Sequence, residues 1–128
     1  MASVLILEDD EDMRSLLCEL FLMGGAERCL GVGSVEELRR RGDEVHQAQL
    51  ALIDINLGSG KPSGLDAFAW LQSRRYGGQV VFVTGHAASH PLLAAAERLR
   101  GVRVLKKPVE PEVLVDLLPE ADGASAPL

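Results

Sequence analysis

Five short runs dominated by Val, Ile and Leu recur along the chain: Val4–Leu7, Cys29–Val32, Leu50–Ile53, Val80–Val83 and Val102–Leu105. Each is about four residues long and apolar on both faces, which is how a parallel strand reads when helices cover both sides of its sheet. Between the runs the period changes. Met13, Leu16, Leu17, Leu20 and Phe21 follow the i, i+3, i+4, i+7, i+8 spacing of a helix with one buried face. Leu92, Ala95, Ala96 and Leu99 repeat that spacing, and Val113, Leu114, Leu117 and Leu118 form a last stripe. Leu65, Phe68 and Ala69 begin another, closed by Gly77-Gly78. Ser34 followed by Glu37 is a capping box for the second helix. Strand and helix therefore alternate five times. This predicts an α/β fold, a three-layer doubly wound sandwich with a five-stranded parallel sheet and five helices, and right-handed crossovers leave few topologies for it.

Composition narrows the picture without changing it. At 128 residues the chain suits one domain with a proper core, and 47% hydrophobic with 25% charged residues is ordinary for a globular protein. A net charge of −6 argues against a nucleic-acid surface, which needs a basic stripe. The clusters Arg39-Arg40-Arg41 and Arg74-Arg75 read as solvated helix ends. No run approaches the ~18 apolar residues of a membrane span, and the N-terminus lacks a signal-peptide pattern, so a cytoplasmic location is expected. Cys18 and Cys29 sit in apolar runs without metal-like spacing and read as small buried hydrophobes in a reducing compartment, with a disulfide as the minor alternative. The domain is expected to span residues 1–118. The small, polar stretch from Pro119 is expected to be a disordered tail or the start of a linker.

Chemistry is expected just past the end of each strand, because ligands of open α/β sheets bind outside the carboxyl ends of the strands. Glu8, Asp9 and Asp10 come after the first run, Asp54 after the third, Thr84 after the fourth, and Lys106 and Lys107 after the fifth. Each residue alone has an ordinary explanation as a helix cap, a strand former or a solvated side chain. Their recurrence at the same end of successive strands does not. Carboxylates about 4 Å apart repel by roughly 4 kcal/mol at an effective dielectric near 20, so three of them in one pocket call for a cation. A hard, oxygen-rich set suits Mg²⁺. A carboxylate beside such a cation can also act as a nucleophile toward phosphorus, with the metal, an ammonium and a hydroxyl meeting the charge of the transferred group.

The stretches VLILEDDEDMR, LALIDINL, VVFVTG and VLKKP, in this order, resemble the receiver domain of two-component response regulators. The resemblance runs to about residue 118 and implies a flavodoxin-like fold with strand order 2-1-3-4-5, for which a chemotaxis receiver is the standing example. It implies that Asp54 is the phosphoacceptor, taking its phosphoryl group from a sensor histidine kinase or a phosphotransfer protein. It implies Mg²⁺ held directly by Asp9 and Asp54, by the backbone carbonyl of Asn56, and by Glu8 through water. It makes Thr84 the switch hydroxyl and Lys107, before Pro108, the phosphate-pairing lysine. Asp10, Glu11 and Asp12 then fall at the cap and first turn of the first helix, where negative charge is favoured. The Lys107–Pro108 peptide is expected to be cis. Phosphorylation would change affinity for a downstream protein partner, the chain acting as a monomer or weak dimer and catalysing only its own phosphorylation and dephosphorylation. Asn56 and His86, two residues beyond the acceptor and the threonine, are the side chains expected to orient or block a hydrolytic water, the alternative being that His86 lies in solvent on its loop, and Gly85 would leave room for the phosphoryl group.

Some positions depart from the family pattern. Val104 stands three residues before the lysine, where Tyr or Phe is common, and the loop after Asp54 is long, with Gly58 where proline is usual. Two alternatives compete: a non-phosphorylated interaction module on the same fold, and a phosphatase of the haloacid dehalogenase type with an aspartyl nucleophile. The latter needs a second Asp two residues after the first, and here that position is Asn56. The near-matches to nucleotide-binding loops at Gly31 and Gly58 lack key glycines and read as turns.

Overall fold

Each apolar run is a strand in the computed structural model, which describes residues 2–58, 60–85 and 91–119. The strands are β1 Ser3–Leu7, β2 Arg28–Val32, β3 Leu50–Asp54, β4 Gln79–Thr84 and β5 Val102–Lys106, each within one residue of its run at either end. They form one sheet in the order β2-β1-β3-β4-β5, and every pairing is parallel. All five carboxyl ends therefore lie along one rim. The ladder carries the chain on at that rim: Glu8 N–H donates to Val32 O at 3.0 Å, Ile55 N–H to Val83 O at 3.0 Å, and Lys107 N–H to Thr84 O at 2.8 Å.

Alternate strand residues feed two cores. Leu5, Leu7, Ala51, Ile53, Val80 and Phe82 pack on one face with Val35, Leu38, Phe68, Leu71 and Ala96. Val4, Ile6, Leu50, Leu52, Val81 and Val83 pack on the other with Phe21, Leu114 and Leu117. This is the expected three-layer sandwich.

The helices are α1 Glu11–Met23, α2 Val35–Arg40, α3 Gly42–Val45, α4 Gly64–Ser73, α5 Pro91–Glu97 and α6 Pro111–Val115. The second crossover is thus divided in two, with Arg41 (φ −102°, ψ 24°) between the pieces, so the described residues hold six helical segments. Asp10 caps α1 by accepting from Met13 N–H, and Glu11 and Asp12 fill its first turn. Ser34 caps α2 by accepting from Glu37 N–H at 3.1 Å, but the Glu37 carboxylate turns to Gly33 N–H at 2.8 Å, one residue before the position a capping box requires. The reciprocal box is found instead on α4, between Ser63 and Asp66.

The apolar stripe of α1 is only partly buried. Phe21 is fully covered, whereas Met13 is 38% and Leu16 51% exposed. The reason is the brevity of α6, whose five residues cover only part of that side of the sheet. On α5 the fully buried positions are Leu93 and Ala96, so the inward face is rotated from the Leu92–Leu99 stripe. The cysteines are not deep core residues: both are half-buried free thiols, and their sulfurs touch each other. Among the described residues, no helix is long and apolar enough to cross a membrane.

Candidate functional site

Three loops bring the ionisable residues together at the rim. β1 and β3 are hydrogen-bonded neighbours, with Leu7 opposite Ile53, so Glu8 and Asp54 emerge side by side. β5 enters from beyond β4, and Lys107 reaches back across the strand end. Its Nζ lies 3.1 Å from Asp54 Oδ2 and 3.2 Å from Glu8 Oε1. Glu8 and Asp54 are buried, at 3% and 7% exposure, while Asp9 is exposed. Carboxylate oxygens of Glu8, Asp9 and Asp54 all lie within 4.8 Å of one another. The second Asp54 oxygen accepts from Asn56 N–H at 3.2 Å, and the Asn56 side chain accepts from Gly58 N–H at 3.1 Å, folding the loop after β3 over the site.

The electrostatics arise from three acids facing one base. Glu8 is pushed up from 4.5 to about 7, chiefly by burial and then by the charge of Asp54, with Lys107 acting in the opposite sense. Burial works against the ammonium of Lys107, but the neighbouring Asp54 and Glu8 carboxylates outweigh it and hold the lysine above its ordinary value. One ammonium cannot neutralise three carboxylates. An additional cation is what this donor set fits, and its all-oxygen character suits a hard divalent ion such as Mg²⁺. Asp9, Asp54 and the Asn56 carbonyl are the groups that would hold it, with Glu8 behind them.

Above Asp54 is a recess of about 350 Å³ lined by Asp9, Asp54, Asn56, Gly58, Gly85 and Lys107. A Cβ placed on Gly85 would meet nothing nearer than Lys107 Cδ at 4.0 Å, so the space over Asp54 is open on that side. Thr84 ends β4 and is fully buried. The structure thus gathers Asp9, Asp54, Asn56 and Lys107 around one recess, with Glu8 beside Lys107 and Asp54 and with Thr84 at the end of β4. Lys106 ends β5 and is exposed. His86 lies outside the described residues. The Lys107–Pro108 peptide is cis, as the sequence led us to expect.

Other residues support the site without any obvious mark in the sequence. Gly64 opens α4 directly against the end of β3: its N–H donates to Ile55 O at 2.8 Å, and a Cβ there would lie 2.5 Å from Asp54 O and 2.9 Å from Ile55 Cα. Arg14 on α1 donates to the Glu8 carbonyl at 2.8 Å. It crosses Gly31 and Gly33, where an added Cβ would come within 2.9 Å of its side chain. Gly31 belongs to β2 rather than to a turn, and the glycine pair makes way for the arginine. The Ser63–Asp66 spacing is itself a local signal for the start of α4, but nothing local says that the glycine between them abuts Asp54.

Beside the recess, an apolar groove of about 500 Å³ runs between α1 and the β5–α6 connection. Met13, Leu16, Pro108, Val109 and Pro111 line it, and Glu8, Asp54 and Lys107 stand at its edge.

Comparison with known proteins agrees with this geometry. The family model of the response regulator receiver domain matches residues 4–119. A search of the curated proteins finds no match. Among solved structures, the receiver domain of NtrX from Brucella abortus superposes with a TM-score of 0.74 at 21% identity, over 89% of this chain and 92% of that one. A CheY-like response regulator receiver domain protein from Methanospirillum hungatei JF-1 gives 0.73 at 22% identity, over 91% and 90%. A response regulator receiver domain protein from Clostridium thermocellum gives 0.73 at 22%, over 91% and 93%. At these identities the likeness establishes the fold, and the match of the family model along nearly the whole described chain places this protein among the response regulator receiver domains.

Proposed function

We propose that this receiver domain accepts a phosphoryl group on Asp54 from the phosphohistidine of a sensor histidine kinase or phosphotransfer protein, and that the modified form binds a downstream protein with altered affinity. The observation that carries this reading is the placement of Asp54: a buried carboxylate, 3.1 Å from the Lys107 ammonium and within 4.8 Å of two further carboxylates, beneath an open recess. An Asp54 oxygen bonds to phosphorus as the donor's P–N bond breaks, its electron pair leaving with the imidazole nitrogen. Lys107 turns from the acceptor carboxylate to a phosphoryl oxygen, and the Thr84 hydroxyl meets another. When bound, Mg²⁺ supplies the positive charge that offsets the carboxylates and the incoming phosphoryl oxygens. The chain turns over no separate substrate; it catalyses its own phosphorylation and dephosphorylation, in the cytoplasm, as a monomer or weak dimer.

The groove between α1 and the β5–α6 connection supports the same reading. Its edge is formed by Glu8, Asp54 and Lys107, so a donor helix laying apolar side chains along Met13 and Leu16 carries its histidine to the acceptor. Incubation with acetyl phosphate and Mg²⁺, followed by intact-mass measurement, tests the chemistry. Wild type gains the mass of one phosphoryl group and Asp54→Asn gains none. A wild type that takes up no phosphate under these conditions is instead the interaction module that uses the fold without phosphorylation.

A further inference from the structure

Cys18 on α1 and Cys29 on β2 are eleven residues apart in sequence, yet their Sγ atoms lie 2.7 Å apart. A sulfur–sulfur bond is about 2.0 Å long, so little movement separates this contact from a covalent one. Both side chains are half-buried, and β2 is an edge strand, so a small reagent reaches the pair from the side of the sheet. Arg14 precedes Cys18 by one helical turn. A Cβ on Gly31 would lie 2.9 Å from Arg14 Cγ and 3.5 Å from Cys18 Sγ, so the arginine and the thiol share one patch of β2.

These surroundings treat the two sulfurs differently. Cys18 is held below its ordinary value, first by the hydrogen bond from Cys29 and then, against burial, by the charge of Arg14. Cys29 is raised by the same hydrogen bond and by burial. A thiolate stabilised by a donor and a nearby cation is the reactive form of cysteine, and a second thiol in contact with it is the partner that resolves its oxidation.

We infer that Cys18 and Cys29 are an oxidation site for hydroperoxides, at which Cys18 reacts first and an intramolecular disulfide then ties α1 to β2. The Cys18 thiolate bonds to one peroxide oxygen, the O–O bond breaks, and the other oxygen leaves as water after taking a proton, giving a sulfenic acid. The Cys29 sulfur then bonds to the Cys18 sulfur, the S–O bond breaks, and the hydroxyl departs as water with the proton from Cys29. Two thiols and one hydrogen peroxide become one disulfide and two waters. Neither cysteine lines the recess above Asp54, so the site is separate from the phosphoacceptor and stands whether or not Asp54 is phosphorylated.

The test treats the full chain, folded and reduced, with hydrogen peroxide, alongside glutathione as a reference thiol. Free thiols are counted over time, and peptides are mapped by mass spectrometry without reduction. Wild type is expected to lose both thiols together, faster than glutathione, and to yield a Cys18–Cys29 linked peptide from monomeric protein, reversed by dithiothreitol. Cys29→Ser is expected to accumulate a sulfenic acid on Cys18 that a dimedone probe captures, and Cys18→Ser to leave Cys29 largely unreacted. Thiols that outlast glutathione, oxidation that yields only disulfide-linked dimers, or Cys29 reacting equally fast in Cys18→Ser would each overturn the inference. The wild-type measurement decides the matter even if a serine variant folds poorly.

Discussion

Glu8 offers the sharpest quantitative test of the site. It is 3% exposed, carries no ion partner but Lys107 among the described residues, and is raised from 4.5 to about 7 by burial and by the charge of Asp54. A group held above its unfolded value keeps its proton longer in the native state. Between pH 4.5 and 7 the folded protein binds more protons than the unfolded chain, so stability falls as pH rises through that window. At ~1.36 kcal/mol per unit, a rise from 4.5 to about 7 corresponds to about 3 kcal/mol, fully present below pH 4.5 and lost above 7. Glu8→Gln keeps an oxygen to accept from Asp10 N–H, a 3.3 Å bond in the wild type, but cannot ionise. The variant is therefore expected to match wild type near pH 4.5 and to exceed it by about 3 kcal/mol at pH 8, on the order of 10 °C in melting temperature for a domain of this size. Urea unfolding of both proteins across pH 4.5 to 8.5, with chelator present, reads this directly. Other carboxylates shift both curves alike, so only the difference matters. A wild-type/variant difference that stays constant with pH would refute the burial argument for Glu8.

Three further expectations rest on the same geometry. Millimolar Mg²⁺ is expected to raise the wild-type melting temperature by mass action and to have little effect on Asp9→Ala, as scanning calorimetry would show; equal shifts in both proteins would remove Asp9 from the metal site. Lys107→Met is expected to slow phosphate uptake from acetyl phosphate and to cost roughly 1–2 kcal/mol, at the lower end because the lysine is about a third exposed; unchanged uptake in a timed mass assay counts against its role. Gly64→Ala sets a methyl group 2.5 Å from Asp54 O and 2.9 Å from Ile55 Cα, backbone atoms that cannot yield, and 2.9 Å from Ile53 Cγ2, so a loss of about 1–3 kcal/mol in urea unfolding and a slower uptake are expected; a neutral effect on both would mean that α4 is free to shift.

The strands and the rim were legible from the chain alone. Val4–Leu7, Leu50–Ile53 and Val80–Val83 stand out because burial on both faces leaves no polar residue inside a strand, and the first polar residue after each run marks its end. Once the sheet is parallel, those ends share one edge, which gives Glu8, Asp9, Asp10, Asp54, Thr84, Lys106 and Lys107 from a one-dimensional reading; the resemblance to receiver domains then chose Glu8 with Asp9 and Lys107 among them. The cap and first turn of α1 were equally local, since they depend on residues within one turn of each other. Packing between elements settled everything beyond that range. Lys107 meets Glu8 across 99 residues and Asp54 across 53, and only that convergence buries Glu8 against a second acid and raises it. The shortness of α6 decided that Met13 and Leu16, apolar and correctly spaced for a core, would line an open groove instead. The contacts of Gly64 with Asp54, of Arg14 with Gly31, and of Cys18 with Cys29 join separate elements at distances of a few ångströms. Periodicity reports which face of an element is buried, but it carries no information about which residue of another element arrives there.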